Sequence, residues 1–162
     1  MPIDPSVAVG ADLGSTTFSW TASDVQLYHL GVSVGISPLD AADLQYQNDV
    51  SPKVLPTFAT VAATFHMVEP PKVSFPGVEI DLAKIVHGGQ QITLHRPLPA
   101  AATATTSTKI VEVQDKGSAA VIVQESTTVD ESGQPLWSAR SSIFAKGEGG
   151  FGGERGASDK VE

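Results

Sequence analysis

The chain has 162 residues, 41% of them hydrophobic and 17% charged, with a mean hydropathy of +0.03. That is one ordinary globular domain with room for a tail, not two full domains and not a disordered polymer. Ten Lys and Arg against 18 Asp and Glu leave a net charge of -8, which argues against broad nucleic-acid binding but leaves room for a local basic patch facing one anionic ligand.

The sequence contains no Cys. Disulfides, thiolate metal sites and thiol nucleophiles are thereby removed, and the composition fits a reducing compartment. Met1 to Gly10 lacks a basic region followed by an apolar run, and no stretch approaches the roughly 18–20 apolar residues of a membrane helix. Asp159-Lys160-Val161-Glu162 matches no anchor or address signal. The expectation is a soluble, cytoplasmic protein that meets neither membrane nor nucleic acid.

Residues 1–15 are aperiodic and rich in Pro, Gly and Ala, and read as an N-terminal arm. Thr16 to Trp20 alternates polar and aromatic residues, as a short strand does. Ser23-Asp24 supplies an N-cap and a first-turn acid for a helix carrying Val25, Leu27 and Tyr28 and ending around Gly31 to Gly35. Residues 36–54 read as a loop. Phe58, Val61, Ala62, Phe65 and Val68 follow a helical stripe behind Pro56, and the spacing predicts a mostly buried helix over 56–68, stopped by Pro70-Pro71. Short apolar runs at Val73 to Pro76 and Val78 to Leu82 flank Pro76-Gly77.

Gln90 to Leu94 follows His87-Gly88-Gly89 as a strand. Three long strands come next: Thr103 to Gln114, Ser118 to Val129 and Leu136 to Lys146. They are joined by turns at Asp115-Lys116-Gly117 and Asp130 to Gly133, which makes an antiparallel meander. A curved antiparallel sheet around one mostly apolar helix is an α+β arrangement of the hot-dog type, placed here at residues 16–146. Six glycines between Gly147 and Gly156 then mark 147–162 as a linker or tail. It is either a flexible spacer or an ordered loop whose glycines admit close backbone approach.

Candidate chemistry is sparse. GxxxxGK[ST] and HExxH are missing, and the glycine run that follows Lys146 leads into no helix whose N-terminus could cradle a phosphate. His29, His66, His87 and His95 are not spaced as a metal pair, and no metal site is expected. His29 and His66 read as helix-boundary side chains with polar partners. His87, beside two glycines, reads either as a ligand contact or as a turn histidine bonded to its own backbone. Asp40, Asp43, Asp49 and Asp81 form no acid–base pair by spacing. Arg140, Lys146 and Arg155 are either a site for a phosphorylated ligand or ordinary solvated charge.

Several runs together resemble the hydratase 2 family. They are Phe18-Ser19-Trp20-Thr21, Asp24-Val25, Leu27 to Val32, Leu55-Pro56-Thr57-Phe58, His87-Gly88-Gly89-Gln90, Pro97-Leu98-Pro99, Asp115-Lys116-Gly117 and Gly149 to Gly153. In their order and spacing they are similar to the N-terminal half of a MaoC-like (R)-specific enoyl-CoA hydratase, as in peroxisomal multifunctional enzyme type 2. The resemblance covers residues 16 to 160.

It implies one hot dog of a double hot dog. The family's second half carries the catalytic Asp and His, and the first half helps house the acyl chain of a CoA thioester. Here the comparable segment reads Leu27-Tyr28-His29-Leu30-Gly31-Val32-Ser33-Val34-Gly35, without the Asp or Asn of the active motif. Asp40 rather than His follows Pro38-Leu39. No catalytic residue is carried over, no cofactor is implied, and whether this chain alone is an enzyme stays open.

The resemblance implies an acyl-CoA-binding, non-catalytic half or subunit of an (R)-specific 2-enoyl-CoA hydratase/3-hydroxyacyl-CoA dehydratase in fatty-acid or steroid side-chain β-oxidation. The alternatives are a non-enzymatic acyl-thioester-binding or oligomer-stabilising module, and autonomous hydration using His87 or another His. The expected substrate-binding residues are Leu55, Phe58, Ala62 and Phe65, which line a tunnel or else fill a core, together with His87, Gly88 and Gly89. The expected partners are an acyl-CoA thioester and a catalytic MaoC-like subunit or a second copy of the chain.

Overall fold

The Thr-, Val- and Ile-rich runs of the C-terminal half pair with one another, and two further strands extend them on either side. The computed structural model describes residues 3–34, 40–68 and 75–157. In it β1 (Asp12–Trp20), β2 (Ile85–Leu94), β3 (Ala102–Asp115), β4 (Ala119–Asp130) and β5 (Pro135–Lys146) form one antiparallel sheet in spatial order β1-β3-β4-β5-β2. The β3–β4 turn uses Gly117 at φ +82°, where a side chain would be strained. The β4–β5 turn is held by Asp130, whose carboxylate accepts the Ser132 and Gln134 N–H groups at 2.9 and 3.0 Å.

Register decides which side chains share a face, because alternate residues point opposite ways. Trp20, Ala104, Trp137 and Leu94 at one end, and Ile110, Ile122, Ile143 and Ile85 at the other, lie on the same inner face. Each end anchors a hydrophobic cluster. The first adds Val25, Val54, Phe58, Ala62 and Leu98; the second adds Ile3, Ala8, Val78 and Phe151. Between them lies a half-buried polar belt of Thr106, Thr108, Gln124, Ser126 and Ser141. On the outer face Asp12, Lys109, Glu125, Arg140 and Gln91 form one row across all five strands. Arg140 donates to Glu125 at 2.8 Å and to Glu112 at 2.9 Å.

The helices are short: α1 (Pro5–Ala8), α2 (Ala22–Gly31) and α3 (Ala41–Leu44). α2 is the longest, and its N-cap is Thr21 rather than the expected Ser23. Asp24 closes a capping box by accepting the Thr21 N–H. Residues 36–54 are not wholly loop, since α3 lies within them; 35–39, including Pro38-Leu39, fall outside the described residues.

The expected continuous helix over 56–68 is replaced by two 3₁₀ segments, Pro56–Thr60 and Ala62–Thr64. Phe58, Val61, Thr64 and Met67 each donate to the carbonyl three residues back. The hydroxyls of Thr60 and Thr64 also donate to carbonyls three residues back, at 2.7 and 3.2 Å. β-Branched residues and threonine back-bonding favour the tighter turn here. Pro70-Pro71 and Val73 lie outside the described residues; Phe75 and Ile3 bridge to Val78.

β1 starts at Asp12, four residues before the expected Thr16. The glycine-rich segment packs against the β3–β4 turn. Gly150 and Gly152 donate to the Asp115 carboxylate at 2.8 Å each, and Lys116 Nζ donates to the carbonyls of Arg155 and Ala157. Among the described residues no helix is long and apolar enough to cross a membrane.

Candidate functional site

Three of the four 55–65 candidates meet at the first cluster. Phe58 is fully buried, with ring centroids 5.5 Å from Tyr28, 6.0 Å from Trp20 and 5.9 Å from Phe65. Edge-on and tilted contacts of this kind add to area burial in fixing the rings. Ala62 is buried beside Phe58, Phe65 packs on the cluster half-buried, and Leu55 is half-buried. Ala62 also borders a small cleft of about 290 Å³ against Phe18 and Thr16 of β1.

His87, Gly88 and Gly89 lie elsewhere, at a bulge where β2 crosses β5. His87 is exposed, with Nε2 3.4 Å from Gln90 Oε1. A Cβ at Gly88 would stand 2.8 Å from Ser142 Oγ, so the bulge needs a glycine to approach β5. Gly88 and Gly89, without His87, line a cleft with Glu112, Gln114, Arg140 and Ser142, and no Leu55, Phe58, Ala62 or Phe65 lines it. The two candidate sets lie toward opposite ends of β2.

Sequence reasoning missed a larger cleft of about 810 Å³, between the Gln45–Pro56 stretch and the Leu94–Ala100 turn. Tyr46, Lys53, His95 and Arg96 line it above Val54 and Leu98. His29 fixes one wall. Its Nδ1 lies 2.8 Å from the Tyr46 carbonyl, and its Nε2 accepts the Leu55 N–H at 3.2 Å. An acceptor on one side and a donor on the other specify a neutral ring protonated on Nδ1. Trp20 Nε1–H donates to the Pro99 carbonyl on the opposite wall at 3.0 Å. The clustered prolines at 52, 56, 97 and 99 were the available signal, but they come from two segments that only the fold brings together.

Two further carboxylates are tied to named partners. Burial pushes the Asp24 carboxyl up, but the Thr21 N–H and hydroxyl and the nearby His66 outweigh it and hold Asp24 below the ordinary carboxylate range. Asp130 is held well below that range, chiefly by the Ser132 hydroxyl and then by Arg96, its ion-pair partner. Among the described residues no three His, Asp or Glu side chains gather as metal ligands would. Arg140, on its carboxylate pair, and Lys146 and Arg155 do not share a cleft.

The site is thus a five-stranded antiparallel sheet carrying an aromatic cluster, with Asp24–His66 at its margin as an Asp–His pair. The family model of the MFE-2 hydratase 2 N-terminal domain matches residues 18–147. The chain belongs to this family. It is 49% identical to enoyl-CoA hydratase ChsH3 of Mycobacterium tuberculosis over 158 residues, covering 98% of this chain and 55% of that protein. The chain spans about half the length of the curated relatives it matches.

A MaoC-like dehydratase structure from Phytophthora capsici superposes with TM-score 0.67 at 21% identity, over 94% of this chain and 51% of that one. The ChsH1–ChsH2 complex of M. tuberculosis superposes with TM-score 0.60 at 13% identity, over 93% of this chain and 92% of that one. These two likenesses are of fold, and the fold is the hot dog. Membership of the hydratase 2 family and the hot-dog architecture both stand as the sequence indicated.

Proposed function

We propose that the chain is the acyl-CoA-binding, non-catalytic hot-dog half or subunit of an (R)-specific 2-enoyl-CoA hydratase/3-hydroxyacyl-CoA dehydratase, acting in fatty-acid or steroid side-chain β-oxidation in the cytoplasm. The observation that carries the non-catalytic reading is His29. It is the one His, Asp or Glu between Leu27 and Val34, the segment comparable to the active motif, and backbone groups occupy both its ring nitrogens. Hydration of a conjugated thioester needs a positioned water, a general acid and base, and N–H donors for the carbonyl oxygen. A histidine tied on both sides offers neither proton nor lone pair.

Acyl binding is supported by the interruption of the 56–68 segment. Two 3₁₀ pieces pack at one end of the inner face, and the central belt belongs to neither hydrophobic cluster. Leu55, Phe58, Ala62 and Phe65 are the proposed acyl wall, and His87, Gly88 and Gly89 the proposed contacts nearer the thioester. The working domain is residues 16–146, with 1–15 as its arm and 147–162 as the link onward.

The partner in this reading is a catalytic MaoC-like hot dog, on the same chain or on another, or a second copy. The length of the relatives and the two-component ChsH1–ChsH2 complex favour it. The test mixes this chain with a hot dog carrying the Asp/His motif and follows loss of the conjugated enoyl absorbance of trans-2-dodecenoyl-CoA. Turnover by the pair and none by this chain is expected. Turnover by the chain alone, lost in His87→Ala, would overturn the non-catalytic reading. Saturable acyl-CoA binding with no turnover by any pairing would favour a pure binding module.

A further inference from the structure

The 810 Å³ cleft has a charge pattern at odds with the rest of the molecule. In a chain of net charge -8, it is lined by Lys53, His95 and Arg96 and by no Asp or Glu. The Lys53 ammonium sits 5.4 Å from the centroid of the Tyr46 ring, and none of the ion pairs among the described residues includes it. Arg96 donates to Asp130, which does not line the cleft, and its planar fork has further donors to offer. His95 shares a 2.8 Å hydrogen bond with the Ser138 hydroxyl.

Beneath this cationic rim the walls are apolar. Val54 and Leu98 are buried and belong to the same cluster as Phe58 and Ala62. An apolar stem entering here would run toward that cluster while its polar end stayed at the rim. The walls are also set in advance: His29 ties the chain at Tyr46 and Leu55, and Trp20 ties Pro99. The volume is that of a site for a drug-sized ligand.

We propose that this cleft binds the anionic end of an apolar ligand, with Lys53 and Arg96 as charge partners and the stem lying on Val54 and Leu98. The inference rests on the acyl-thioester reading above for the identity of that ligand. Two sources offer the same chemistry: the ω-carboxylate of a dicarboxylic acyl group, and the phosphates of CoA. A charge-assisted contact with Lys53 selects for either over a methyl-terminated stem without a nearby phosphate.

Isothermal titration of the full chain with free CoA, dodecanoyl-CoA and the mono-CoA thioester of dodecanedioic acid separates the outcomes. If the ω-carboxylate is held, the dicarboxylic thioester binds about tenfold more tightly than dodecanoyl-CoA, and Lys53→Gln or Arg96→Gln removes that advantage. If the phosphates are held, the ω-carboxylate brings no gain, and both dodecanoyl-CoA and free CoA weaken about tenfold in the same variants. Thioester binding unchanged by either variant overturns the inference and leaves the acyl-binding reading intact. No binding of either thioester by the wild-type chain overturns that reading and the inference with it.

Discussion

His29 joins stretches of chain 17 and 26 residues away, accepting the Leu55 N–H and donating to the Tyr46 carbonyl from one fully buried ring. Leucine fills similar space but leaves both backbone groups without partners, at about 1–3 kcal/mol for each. His29→Leu is therefore expected to lower stability by about 2–5 kcal/mol in urea unfolding. It should also raise hydrogen exchange at Leu55 well before the sheet opens. Unchanged exchange there would mean the ring is not the tie.

Gly149 is a second position where one atom decides. A Cβ would fall 2.5 Å from Ala119 N and 2.6 Å from the Gly117 carbonyl oxygen. These are backbone atoms that cannot swing aside. Gly149→Ala is expected to cost about 1–3 kcal/mol by overpacking, or to lift the segment from the β3–β4 turn. Gly152→Ala is the contrasting variant, because Gly152 has open space around its Cβ position and is constrained only by φ +80°. Thermal unfolding of the two variants separates steric from conformational cost.

At the scale of elements, the segment after β5 behaves as a strap. The Gly150, Gly117 and Gly152 N–H groups on Asp115 hold its carboxyl below the ordinary range, against a smaller opposing effect of burial. A depressed folded value contributes stability above about pH 4 and loses it as pH falls through that value. Exchange protection of the Gly150 and Gly152 amides should thus fall on acidification. In Asp115→Asn, where an amide NH₂ replaces an acceptor, protection should be low at neutral pH and insensitive to acid.

The elements also differ in how legible they were. β3, β4 and β5 could be read because each runs ten or more residues between turns with Asp and Gly at the needed places, and β3 and β4 are rich in Thr, Val and Ile. The 56–68 segment misled because i, i+3 spacing is common to the α-helix and the 3₁₀ helix, and only threonine back-bonding separates them. The extension of β1 to Asp12 was hidden by Gly14, which sits at φ +89° within a bulge. The candidate residues were legible as types but not as a site. Phe58 and His87 lie apart because β2 presents Ile92 and Leu94 to the first cluster and His87 to the far end. The cationic cleft was invisible because two loops build it.

For the whole molecule, the sheet ends in two unlike edges. β1 is blunted by a bulge between Asp12 and Ser15 and by hydroxyl pairs onto β3, Ser15 to Ser107 and Thr17 to Thr105. β2 runs ten residues, Ile85–Leu94, with no Pro, Lys, Arg, Asp or Glu, and its Val86 is 45% exposed. Such an edge invites pairing with another strand unless something covers it. Leu27 and Leu30 on α2 are also exposed, at 61% and 62%. On the proposed assembly, the catalytic hot dog covers the β2 edge. Val86→Lys places a charge there without disturbing the core, so stability should change by no more than about 0.5 kcal/mol. Its dissociation constant for the catalytic hot dog, measured by analytical ultracentrifugation, should rise about tenfold or more. Leu27→Ser with Leu30→Ser asks whether α2 belongs to the same interface. Weaker association in that variant and none of the Val86→Lys effect would move the contact from the sheet edge to the helix.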